Sequence, residues 1–284
     1  MNPILYVARL GVGRGWHEFK IGLRGADETG FKLVFALSFA LVLYFQRNAT
    51  VEGTTQSLAS VVLPSILGMM VVVGSALGGA GALSVEREDG TLLRAKAIPN
   101  GMIGYFAAKV TSVTLDTVIA VTLVLATGLI FVPELLSTGY AGWLALIGIL
   151  GLGLLATLPW GAVIGSVVLS PQSAFGLTML PIGAITAISG IFYPITALAG
   201  WVQGIAQVFP VYWLGHGTRW ALLPDSAAAA EIGGSWRPLE TAGVLAAWAV
   251  AGLLVAPPVL RTMARRESGS AIEARRHRAM QRVG

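Results

Sequence analysis

LASVVLPSILGMMVVVGSALGGAGAL, residues 58–83, runs directly into SVEREDGTLLRAKAIP, residues 84–99. The first block holds 26 residues without a charge. About 20 apolar residues suffice to cross a bilayer as a helix. The second block packs six charges into sixteen residues and ends on Pro99. So sharp a change reads as a membrane span emptying into an aqueous loop. Over the full 284 residues, 55% are hydrophobic and only 12% charged, against roughly 25% charged in a soluble domain. The chain is therefore expected to be polytopic.

Five more apolar stretches accompany residues 58–83. They cover about Phe31–Phe45, Ile103–Val132, Tyr140–Leu169, Ser173–Phe192 and Thr241–Leu260, which makes six expected spans. Lys and Arg orient them. With both termini cytoplasmic, sixteen of the nineteen basic residues fall inside, and only Arg47, Arg219 and Arg237 fall outside. That asymmetry is the positive-inside pattern, and it explains the net charge of +5 without nucleic acid. Residues 1–29 lack the apolar core and cleavage chemistry of a signal peptide. Leu5, Ala8, Val12, Trp16 and Phe19, interleaved with Arg9, Arg14, His17 and Lys20, instead read as an interfacial helical arm that Gly11, Gly13 and Gly15 weaken. Residues 193–240 form the longest extracytoplasmic segment. In it Leu198, Trp201, Val202, Ile205, Val208 and Phe209 follow the spacing of a re-entrant or interfacial helix. Phe209 to Leu214, with Tyr212 and Trp213, read as an outer aromatic belt. Gly74 with Gly78, and Gly161 with Gly165, have the small-xxx-small spacing of close helix contacts. Pro159 and Pro181 are expected to bend the fourth and fifth spans.

The search for catalysis comes back empty. No G-x-x-x-x-G-K-[ST] loop is present to cradle ATP, and no G-x-S-x-G elbow to hold a nucleophile. With no cysteine and only three histidines, no metal site is expected. Asp116 is the one acid deep in a span, where ionisable groups are costly. Thr111, Ser112, Thr114 and Thr117 surround it in sequence. It is either a hydrogen-bonded packing residue or, with Thr117, part of a transport path. A proton relay would need a second buried titratable partner, and the sequence shows none.

Residues 84–99 read as a short helix over Glu86–Lys96. Glu86, Glu88 and Asp89 stand near its start and Arg94 and Lys96 near its end, in the order that suits the helix dipole. A solvated loop is the alternative, though Leu92, Leu93, Ala95 and Ile98 would then serve no purpose.

Glu86-Arg87-Glu88, Gly90-Thr91-Leu92, Arg94, Pro99 and Gly101 through Tyr105 to Lys109 resemble the cytoplasmic loop of ABC-transporter permeases of the type-two exporter family. That family includes daunorubicin-resistance-like drug exporters and polysaccharide exporters. Gly190-Ile191-Phe192-Tyr193-Pro194, Trp201, Phe209-Pro210, Tyr212-Trp213 and Arg219 to Pro224 resemble a second block of it. The resemblance implies an all-α polytopic membrane protein, a single permease domain over residues 1–284. Its parts would be six transmembrane helices, a cytoplasmic coupling helix and re-entrant or interfacial helices between spans five and six. Glu86, Arg87, Glu88, Gly90, Thr91, Leu92, Leu93 and Arg94 would couple to the ATPase, with Ser170-Pro171-Gln172-Ser173 a smaller contact. The arm before the first span would be the family's connecting helix. Phe192, Pro194, Trp201, Phe209, Tyr212 and Trp213 would form an outer gate. Two P-loop ATPase subunits would bring ATP and Mg2+, and a second permease copy would complete a homodimer. No cofactor is expected in this chain. The setting would be a bacterial cytoplasmic membrane, a source that the high Arg, Ala and Gly content also suggests. The basic tail, residues 261–284, suits anionic lipid. The expected activity is export of an amphiphilic, drug-like or lipid-like substrate. The alternatives are export of a lipid-linked glycan and an ion- or proton-coupled carrier; an intramembrane enzyme lacks clustered catalytic side chains.

Overall fold

The computed structural model describes residues 3–51, 54–168 and 170–266, leaving aside the side chains of residues 27, 28, 171 and 266. Among the described residues ten α-helices follow one another: α1 (Pro3–Arg24), α2 (Ala26–Gln46), α3 (Leu58–Asp89), α4 (Thr91–Lys96), α5 (Gly101–Gly128), α6 (Tyr140–Val167), α7 (Pro171–Ile188), α8 (Gly200–Ala206), α9 (Pro210–Leu222) and α10 (Pro238–Arg266). The one β feature among the described residues is an isolated bridge, Thr50 to Ser57. Five helices, α2, α3, α5, α6 and α10, are long and apolar enough to cross a membrane. The fifth span expected is α7, whose 18 residues reach about 27 Å.

α3 is the central post. Most of its apolar window is buried, whereas the other four long helices turn most of theirs outward. It is hydrophobic on all sides, as a helix enclosed by others must be. Small residues let its neighbours come close. A Cβ on Gly161 or Gly165 of α6 would meet the carbonyls of Ala76 or Ala80 at 2.5 and 2.8 Å, so α6 packs on α3 backbone to backbone. The hydroxyls of Ser75 and Thr157 meet in that seam at 2.5 Å. α9 lies on the opposite half of α3, where Thr218 Oγ1 donates to the Pro64 carbonyl.

α1 and α2 run one after the other along α5, broken at Gly25. α1 takes the first half of α5: Gly11 approaches Gly104 and Gly15 approaches Ala108, where a Cβ would lie 2.2 and 2.3 Å from the carbonyl oxygens. These glycines were expected to weaken the arm. Instead they dock it, because only a helix face without Cβ atoms comes this near. α2 takes the second half, with Lys32 beside Asp116 and Tyr44 edge-on to Phe131. Along its outer face α1 exposes Leu5, Leu10, Trp16 and Ile21, which suits lipid.

One end of the bundle gathers the start of α1, α4 and the end of α10, where Lys96 Nζ donates to the Ala264 carbonyl at 2.7 Å. The other end carries the end of α2, the 3-10 turn Pro133–Ser137 and the end of α9, where Thr138 donates to the Leu222 carbonyl. This grouping agrees with the Lys/Arg distribution. The tail beyond Arg266 lies outside the described residues.

Candidate functional site

The expected helix over Glu86–Lys96 is not one helix. α3 continues through Asp89, and Gly90, at φ 80°, turns the chain into the six residues of α4. A left-handed residue ends a helix at little cost when it is glycine. Glu86, Glu88 and Asp89 therefore stand in the last turn of a long helix rather than the first turn of a short one. Arg87 is buried and donates to the carbonyls of Gly165, Ser166 and Val168 at 3.2, 2.8 and 3.0 Å. It caps the C-terminal carbonyls of α6, which have no partner within their own helix. Leu92 is 1% exposed, packed with Leu83, Tyr105, Leu260 and Met263. Inward-facing Glu86, Arg87 and Leu92 hold the segment in place. Val85, Asp89, Arg94 and Ile98 are exposed, and Glu88, Thr91 and Leu93 half-buried. The Ser170–Ser173 turn closes as a capping box at the start of α7.

Glu86 opens onto a second feature. Lys109 Nζ bridges Glu86 Oε1 and Glu18 Oε2, both at 2.6 Å. Arg14 pairs with Glu18 at 2.8 Å and approaches Glu86 at 3.8 Å. Burial alone would raise the Glu18 carboxyl, but Lys109 and Arg14 outweigh it and hold the group below its ordinary value. Two turns further along α5, Lys32 Nζ bonds Asp116 Oδ1 at 2.6 Å. Both groups line a cavity of about 930 Å³ between α1, α2, α3, α5 and α7, walled otherwise mainly by apolar side chains.

Asp116 thus has the titratable partner that the sequence did not reveal. The nearby hydroxyls serve other groups: Thr117, Thr111 and Ser112 donate to the carbonyls of Val113, Ala107 and Lys109. The signal that could have found the pair is charge matching. Lys32 and Asp116 each stand alone inside an apolar stretch, and burying one charge calls for the other.

At the opposite end, the residues expected as an outer gate do not form one cluster. Phe192 stacks on Phe39 of α2 at 6.5 Å and Phe209 on Trp248 of α10 at 6.3 Å. Trp201 is exposed on α8, and Pro194 precedes the 3-10 turn Ile195–Ala197. Tyr212 and Trp213 are no exposed belt: both are buried, ring on edge at 5.1 Å. Arg237 holds them, donating to Tyr212 Oη at 2.7 Å with its guanidinium 4.8 Å from the Trp213 ring. Arg219, expected on the outer side of the membrane, is 2% exposed. It forks onto Glu231 at 2.5 and 3.1 Å and donates to Ser65 Oγ at 2.7 Å. The Arg237 backbone N–H donates to His216 Nε2, which leaves Nδ1 as donor to Glu231 Oε2 at 2.9 Å. Burial would raise Glu231, but the Arg219 charge and the His216 and Arg219 hydrogen bonds prevail and bring it down to about 2. This network fastens α9 to α3 and to the segment before α10. Its sequence signal was absent, because its members are scattered from Ser65 to Arg237.

Among the described residues, no group of three His, Cys, Asp or Glu side chains could hold a metal. The family model described as ABC-2 family transporter protein matches residues 35–256, well over half of the chain. Lys32 and all of α1 precede the matched region. No curated protein matches the chain.

Proposed function

The chain belongs to the ABC-2 family of transporter proteins, which makes it the membrane component of an ATP-binding cassette transporter, and we propose that it is the permease of an exporter. Two copies pair with two ATPase subunits that carry ATP and Mg2+, and the substrate is amphiphilic. α4 and the Ser170–Ser173 turn face the cytoplasm and receive the motion of the ATPase; α8 and α9 form a re-entrant pair on the outer side.

The observation that supports this most is the construction of α4. A six-residue helix, set off by Gly90 and riveted inward by Leu92, keeps Arg94 and Ile98 exposed at the end shared by the α1 start and the α10 end. A loop that served only as a connection would have no reason to be fixed so firmly while presenting an apolar and basic face. Its test is co-purification of the ATPase, with ATP turnover and export, for Leu93→Asp and Arg94→Glu. Leu93→Asp should release the ATPase, and Arg94→Glu should keep it bound while uncoupling hydrolysis from export. Parental assembly and export in both would refute the role of α4. The Lys32–Asp116 pair lends an ion-coupled carrier its support; transport in proteoliposomes that hold the chain without any ATPase would decide for that reading.

A further inference from the structure

The cavity beside Asp116 is polar in two places and apolar elsewhere. Among the described residues its ionisable lining is Glu18, Lys32, Glu86, Lys109 and Asp116, three carboxylates against two ammonium groups. Both ammonium groups already bond carboxylates at 2.6 Å, so an incoming anion would meet cations that are already neutralised. Asp116 is the less satisfied partner. The Asp116 side chain is 36% exposed against 16% for Lys32, and only its Oδ1 receives the lysine. Glu86 is 8% exposed, with Lys109 on its Oε1 and Tyr105 beside it. Asp116, the more exposed partner of its ion pair, therefore offers the open carboxylate of a cavity large enough for a drug-sized molecule. Arg14 adds its charge from behind, on Glu18 and Glu86, outside the lining. The remaining wall includes Phe31, Phe35, Phe175 and Met179, rings and a thioether suited to an apolar body or to the face of a cation.

We propose that this cavity binds a cationic amphiphile, its positive group at the free oxygen of Asp116 and its apolar body against the aromatic wall. Asp116 stands seven residues beyond Lys109, about 10 Å along α5, so the two carboxylate positions lie within one ligand's length. The ligand competes with Lys32 for Asp116. The transport consequence rests on the exporter reading; the binding does not.

The test is equilibrium dialysis of tetraphenylphosphonium, and of its anionic isostere tetraphenylborate, against the purified full chain in lipid nanodiscs, with empty nanodiscs as baseline. The cation should bind saturably and the borate should not. Asp116→Asn should weaken cation binding by about tenfold or more, the range of a lost charge-assisted contact. Lys32→Met should tighten it severalfold by removing the competitor. A misfolded variant cannot produce that gain, so the opposite signs separate recognition from damage. Equal affinities in all three proteins, weakening in both variants, or saturable borate binding lost in Lys32→Met would each overturn the proposal. If the chain with its ATPase exports while cation binding ignores both positions, the cavity assignment fails and the exporter reading stands. If binding follows the expected signs but no ATPase associates, the exporter reading fails and the cavity stands.

Discussion

Glu231→Gln is the most instructive change at the outer end. It keeps the shape of the side chain but takes the charge from the carboxylate that Arg219 and His216 both engage. Arg219 is left as a buried cation with neutral acceptors alone: the amide oxygen, Ser65 Oγ and the Gly190 carbonyl. Removing one partner of a buried ion pair costs about 3–5 kcal/mol, because the other charge stays uncompensated. At about 2–4 °C of melting temperature per kcal/mol for a chain of this class, the midpoint should fall by roughly 10 °C. Arg219→Met should cost a similar amount. The double variant Arg219→Met with Glu231→Met should recover much of the loss, since an apolar pair of similar volume leaves no charge stranded. The assay is the thermal midpoint of detergent-solubilised protein, followed by size-exclusion chromatography after heating. Glu231 is held down at about 2, so its contribution is complete above its unfolded value of 4.5 and is lost as pH falls towards 2. The midpoint difference between parent and Glu231→Gln should therefore be flat from pH 5 to 8. Single variants within about 1 kcal/mol of the parent, or a double variant as damaged as the sum of the two, would refute the reasoning.

Leu92→Ala should lower thermal stability by about 2–5 kcal/mol, the range for truncating an enclosed leucine, whereas Leu93→Asp should leave the isolated chain's midpoint nearly unchanged. Gly165→Leu should force α6 away from Ala80 and cost about 1–3 kcal/mol or more, measurable as a lower midpoint; Gly148→Ala, whose Cβ would meet open space, should be neutral or stabilising by up to about 1 kcal/mol. Single cysteines are clean reporters, because the native chain has none. Ser235→Cys should react with an impermeant maleimide in intact cells, and Ile98→Cys only after the membrane is opened; the reverse pattern would invert the orientation.

The helices were legible because their signal is local. Uncharged runs of bilayer length, such as residues 58–83, can hardly be anything else; the apolar stretches placed α2, α5, α6 and α7 within a few residues, whereas α3 ran on to Asp89 and α10 to Arg266. Small-residue spacing at Gly161 and Gly165 also gave a contact that the structure contains. What failed was the judgement of direction. Glu86, Arg87 and Leu92 look like loop residues in sequence, yet each meets a partner that is distant in the chain: Lys109, the end of α6, and Leu260. Tyr212 and Trp213 read as an outer aromatic belt because aromatics commonly stand there, and Arg219 only as a charge on the outer side. α9 instead turns them inward, where Arg237 and Glu231 satisfy them. The Lys32–Asp116 pair falls between these cases, since each charge was visible but the pairing depends on α2 lying along α5.

The account stands on α4 as the place where the ATPase engages this chain, and a single photo-crosslinking experiment tests that most directly. Arg94→Cys, carrying a short photoreactive group and expressed with the ATPase subunit, should trap that subunit in one dominant adduct on illumination. The same group at Ser235 should trap none. Adducts at Ser235 and none at Arg94, in a complex that still exports, would contradict the account.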